Sequence, residues 1–95
     1  MTTFDALAAW QRSPSVELRR EPFGALAYDF VTRRLSFLKA PSLVRLVELL
    51  GSSSSAAAAL DRAGIPDDER ERHLVSLAAL ARTGVITRRV TQEAS

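Results

Sequence analysis

The chain reads as an α+β fold: three antiparallel strands followed by three helices. Three observations predict it. Apolar residues recur with period two from Val16 to Lys39, with period 3.6 from Pro41 to Ala81, and turn residues separate the segments. The 95 residues suffice for one core, and a hydrophobic content of 46% argues against a disordered chain.

Residues 1–15 read as an N-terminal arm. Thr3 can cap a helical turn with Phe4, Leu7 and Ala8 on one side, Trp10 is a hydrophobic anchor, and Ser13-Pro14-Ser15 is a break. Residues 16–90 form the domain. Val16-Glu17-Leu18-Arg19 alternates like a half-buried strand. After a turn at Pro22-Phe23-Gly24, Ala25 to Phe30 forms the second strand, with Leu26, Tyr28 and Phe30 on one face. Val31-Thr32-Arg33 connects it to the third, Arg34 to Lys39, where Leu35 and Phe37 are expected inward and Arg34, Ser36 and Leu38 outward.

Pro41 opens a helix whose Leu43, Leu46, Val47 and Leu50 share one face, and Gly51 ends it. The run Ser52–Ser55 reads as a loop ending in an N-cap, because Ala56, Ala59, Leu60 and Ala63 resume helical spacing up to Gly64. Pro66-Asp67-Asp68-Glu69 opens the third helix, with acids at its positive end. Leu74, Leu77, Ala78 and Ala81 form its apolar face with Leu80 beside them, and Gly84 stops it. Val85 to Val90 has the makings of a short wing strand, and residues 91–95 are a C-terminal tail. Two short helices, a tight Gly-Ile-Pro turn, a longer helix and a strand match a winged helix-turn-helix.

Composition narrows the function. Cysteine is absent and His73 is the single histidine, which excludes thiolate chemistry, a Cys–His pair and a multi-histidine metal site. His73 suits the boundary of an amphipathic helix, and Asp67, Asp68, Glu69 and Glu71 a solvated helix start. The four glycines are scattered, so no phosphate loop is present. No catalytic, metal or cofactor site can be assembled. No apolar run reaches the ~20 residues of a membrane span and no secretory signal is visible, so a cytoplasmic location is expected. The net charge is only +2. A winged helix that bound DNA would insert its third helix, whose start here reads Asp67-Asp68-Glu69-Arg70-Glu71-Arg72. Those acids oppose a polyanion, and the basic pairs Arg33-Arg34 and Arg88-Arg89 make a thin footprint. A DNA-binding regulator is the alternative, disfavoured reading.

The string from Glu21 to Lys39, EPFGALAYDFVTRRLSFLK, together with Trp10 and Ser42-Leu43-Val44, closely resembles the mycofactocin precursor-peptide chaperones (MftB family), of the PqqD-like peptide recognition elements. The likeness covers roughly residues 10 to 85 and is weakest in the alanine-rich second helix. It implies a non-enzymatic protein that binds the leader of a ribosomally made precursor and presents it to a radical S-adenosylmethionine maturase, whose clusters belong to that enzyme. It also implies that the leader adds a strand to the free edge of the third strand, in a groove against the third helix. Arg34, Leu35, Ser36, Phe37 and Leu38 would line that edge, with proline at Ser36 or Phe37 expected to weaken binding; Leu38 suits contact with the first helix or the N-terminal arm equally well. His73, Leu74, Leu77, Leu80 and Ala81 are the groove candidates, of which Leu74, Leu77 and Ala81 suit the core best, leaving His73 and Leu80 nearer the peptide. A maturase subunit without peptide contacts and a strand-exchanging homodimer remain compatible with the same residues.

Overall fold

A computed structural model describes residues 4–89. The chain runs β1 (Trp10–Arg12), β2 (Val16–Glu21), β3 (Gly24–Asp29), β4 (Arg34–Leu38), α1 (Pro41–Leu50), α2 (Ala56–Arg62), α3 (Asp67–Arg82) and β5 (Ile86–Arg88). The expected three strands and three helices are all present, within a residue or two of their expected limits. The fold is α+β, and its layout is compatible with a winged helix-turn-helix.

β2, β3 and β4 form an antiparallel sheet in that order, and α1 packs across β3 and β4. The alternation predicted the strands but the wrong face of them. Ala25, Ala27 and Leu38 are buried, with Leu38 0% exposed, whereas Leu35 and Phe37 are 58% and 56% exposed and Tyr28 and Phe30 also face solvent. The reason is close approach. Small alanines let α1 lie against β3, which displaces the bulky residues to the outer face. Gly24 belongs to the same constraint: at φ +149°, a Cβ there would overlap the Leu38 carbonyl oxygen.

The β3–β4 turn is built by Asp29. Its Oδ1 accepts from the N–H groups of Val31 (2.9 Å) and Thr32 (3.2 Å), while its carbonyl accepts from Arg33 N–H at 2.7 Å. Burial pushes the Asp29 carboxyl upward, but the hydrogen bonds from Thr32, Val31 and Ser15 prevail and hold it below its ordinary value of 3.8.

The second surprise is β1. Residues 10–12, read as part of an arm, pair antiparallel with β5 as a two-stranded ribbon. Trp10 is 2% exposed, its ring lies 4.8 Å from that of Phe4, and its Nε1 donates to Asp5 O at 2.8 Å. The anchor role expected of Trp10 therefore holds, but it anchors a strand. Such a short strand carries no periodic signal of its own and needs a distant partner. Asp5 caps the preceding turn through Leu7 N–H at 2.9 Å, and Leu7 points to solvent instead of sharing a face with Phe4 and Ala8. The expected Thr3 cap and the 91–95 tail lie outside the described residues.

The helices follow their caps. Ser55 accepts from Ala58 N–H at 3.0 Å and starts α2, as its place at the end of the serine run predicts. Along α3 the buried stripe is His73, Leu77 and Leu80, with Leu74 and Ala81 only partly buried. The helix is thus turned from the expected face, and Leu74 and Ala81 border a cleft shared with Phe4, Trp10 and Ile86. No helix among the described residues is long and apolar enough to cross a membrane.

Candidate functional site

The edge of β4 opposite β3 has no strand partner among the described residues. Which backbone groups it offers follows from alternation. Successive residues of a strand point their N–H and C=O groups to opposite sides. The two-residue turn Pro22-Phe23 joins the Glu21–Gly24 pair, and Phe30 N–H donates to Ser15 O at 2.9 Å. Even-numbered residues of β3 therefore bond toward β2 and odd-numbered ones toward β4. The β4 partners of those odd residues are Arg34, Ser36 and Leu38. That leaves the N–H and C=O groups of Leu35 and Phe37 on the open edge. The expectation for proline changes accordingly: at Ser36 it would break the sheet itself, and only Phe37 or Leu35 reports on the edge.

Beside this edge lies a groove of about 520 Å³. Phe37, Lys39 and Ala40 form one lip, Ser42 and Leu43 of α1 the end, and Glu69, Arg72, His73, Ser76, Ala79 and Leu80 of α3 the far wall. His73 holds the two helices in register. Its Nδ1 lies 2.8 Å from Glu69 O and its Nε2 2.9 Å from Ser42 Oγ. A carbonyl can only accept, so Nδ1 carries a proton, and in the neutral ring Nε2 accepts from the Ser42 hydroxyl. Both ring nitrogens are thereby engaged. The rim is polar, with Arg72 and Glu69 3.8 Å apart beside Lys39.

The expected site residues divide into four groups. Leu35, Phe37, His73 and Leu80 lie at the edge or in the groove, and exposed Arg34 begins the same strand. Ser36 faces the inner side and is half-buried. Leu38 and Leu77 are core residues, fully buried, so neither side chain can meet a peptide; the outward placement of Leu38 is corrected. Leu74 and Ala81 line a different cleft, on the opposite flank of α3, with Phe4, Trp10, Val75 and Ile86. Sequence reasoning missed Lys39, Ala40, Ser42, Leu43, Glu69, Arg72, Ser76 and Ala79. The spacing His73–Ser76–Leu80 at i, i+3 and i+7 was available in the sequence, but its polar members hid it from a search for apolar stripes.

Three of the basic residues considered for DNA, Arg70, Arg88 and Arg89, have structural partners, while Arg33 and Arg34 are exposed. Arg70 pairs with Asp61 at 2.8 Å, and Arg88 lies over the Trp10 ring at 5.7 Å. Arg89 donates to the carbonyls of Leu50, Gly51 and Ser53, closing the C-terminal end of α1. Among the described residues no three His, Cys, Asp or Glu side chains converge as metal ligands.

The model of the peptide chaperone MftB family matches residues 9–87. The chain is 40% identical over 84 residues to the peptide chaperone MftB of Mycolicibacterium smegmatis, covering 88% of this chain and 82% of that one. It is 38% identical over 88 residues to the peptide chaperone MftB of Mycobacterium tuberculosis, covering 93% and 81%. No solved structure matches it. The matched span runs from β1 into β5, taking in both walls of the groove, and the chain belongs to the peptide chaperone MftB family, a family of chaperones and not of enzymes.

Proposed function

We propose that this protein binds the leader of a mycofactocin precursor peptide by strand addition to β4 and presents it to a radical S-adenosylmethionine maturase. The observation that carries the reading is the open edge at Leu35 and Phe37 beside a preformed groove. Unpaired edges invite aggregation and are normally blunted, so an open one next to a groove is suited to capture an extended chain. Backbone bonds at the edge hold the peptide in register, and alternate side chains enter the groove between Phe37 and His73.

Backbone bonds and apolar burial supply the affinity, the ordering of a disordered leader opposes it, and a groove already rigid before binding keeps the cost of association down. The Ser42–His73–Glu69 bonds supply that rigidity.

Titration calorimetry with a synthetic mycofactocin precursor, and with its leader alone, tests the reading. Micromolar or tighter binding to both is expected. Binding to neither would reduce the family likeness to shared fold and reopen the maturase-subunit reading.

A further inference from the structure

The outer face of the sheet, away from α1, is apolar where it meets the open edge. Its cross-strand rows run Arg19–Leu26–Phe37 and Glu17–Tyr28–Leu35. Each row begins charged at β2 and ends apolar at β4. Phe23, from the β2–β3 turn, extends the patch, its ring 6.0 Å from that of Phe37. A solvated face would carry polar residues at the ends of both rows, and a protected edge would carry charge. Leu35 and Phe37 do neither, and they are the same two residues whose backbone groups face outward.

We infer that a strand added to β4 is read on the outer face of the sheet, where it must place two apolar side chains, two residues apart, against Leu35 and Phe37. This rests on the strand-addition reading above. It follows from the pleat. A paired strand adds a fourth member to each row, with Cβ atoms about 4.5–5.5 Å from those of Leu35 and Phe37. The rows then end in an aliphatic or aromatic residue covered by another. The peptide residue between those two points the opposite way, into the groove, whose rim carries Lys39 and Arg72. The preferred peptide segment therefore has two apolar residues flanking one that enters the groove. Its selection is shared between two faces of the sheet and is not confined to the groove.

The test uses the full chain and synthetic precursor peptides in titration calorimetry. Three sets of measurements are combined: backbone N-methylation at each leader position, serine substitution at each apolar leader position, and Leu35→Thr and Phe37→Thr in the protein. Threonine keeps the strand preference and the N–H, and both sites are surface positions, so circular dichroism should show an unchanged fold. Strand addition predicts loss of binding on N-methylation at alternate positions. The outer-face reading predicts two serine-sensitive positions two residues apart, each costing about tenfold in affinity. Their cost should disappear in the doubly substituted protein, which itself binds at least tenfold more weakly. If N-methylation blocks binding with period two but the double variant binds like the unaltered protein, the edge pairs and the outer face is not read. If N-methylation has no effect anywhere, strand addition falls and this inference with it. If the double variant changes the sedimentation of the free protein from dimer to monomer and leaves peptide affinity intact, the face belongs to a second copy of the chain, and the inference is again overturned.

Discussion

β2 and β4 are the two edges of one three-stranded sheet, and they carry opposite chemistry. β2 reads Val-Glu-Leu-Arg-Arg-Glu; its exposed side chains are charged, and Arg20 makes a two-pronged bond to Glu48 of α1 at 2.8 and 2.9 Å. β4 reads Arg-Leu-Ser-Phe-Leu; past Arg34, its exposed side chains are Leu35 and Phe37. Both strands follow the same alternation and pair with the same neighbour. What separates them is which residues occupy the outward positions. Charges desolvate poorly and repel an incoming strand, whereas apolar side chains favour one. One edge is thus guarded by charge and the other is not, although neither has a further strand partner among the described residues.

The largest effect is expected where the β4 pattern reverses. Leu38 is fully enclosed, so Leu38→Asp buries a carboxylate without a partner and costs on the order of 4 kcal/mol or more. Thermal melting followed by circular dichroism should show loss of the cooperative fold, while Leu35→Asp, three residues earlier on the outer face, should shift the midpoint by little. A Leu38→Asp protein that melts like the original would mean that the inner face is assigned incorrectly.

Proline distinguishes the edges next. At Phe37 it removes an outward donor and sets its ring in the path of an added strand, so precursor affinity should fall by about tenfold to a hundredfold. Phe37→Ala should cost less, because it keeps the donor. Arg20 occupies the matching outward position on β2, and Arg20→Pro should leave affinity within about twofold. Equal losses at the two edges would erase the functional distinction between them.

The groove wall provides a smaller, purely structural effect. Ser42→Ala leaves His73 Nε2 without its hydroxyl partner and should lower stability by about 1 kcal/mol in urea unfolding, with the slope unchanged. The smallest effect concerns pH. The Asp29 carboxyl is held below 3.8 in the folded protein, so its stabilisation is fully present above that value and is lost as the pH falls through its lowered folded pKa. Asn at position 29 keeps the acceptor but not the charge. The difference in melting temperature between Asp29→Asn and the original should therefore be present at neutral pH and close as the solution is acidified below that point; a difference independent of pH would rule out the charge as its source.

Much of this architecture was legible in advance, and what was missed shares a cause. The strands were visible because period two is a strong local signal, and the helices because Pro41, Ser55 and Pro66 mark their starts. The face of the sheet was not, since alternation is unchanged when inside and outside are exchanged. Leu35 and Phe37 were expected inward; the packing of α1 against Ala25 and Ala27 turns them outward. The His73–Leu80 wall was partly legible, but Leu74 and Ala81 went to another cleft, since α3 is turned from the expected face.

By itself, the amino-acid sequence determined the kinds of elements, their order, the family and the absence of thiolate chemistry, because these depend on local spacing and composition. The tertiary structure alone decided that Trp10 begins a strand paired with β5, that Arg89 closes α1 and that Leu38 faces inward. It also decided that the open N–H groups of β4 belong to the same two residues that present apolar side chains outward. Each of these depends on a contact between distant segments, where a partner's shape and distance select among arrangements that local pattern leaves equal in energy.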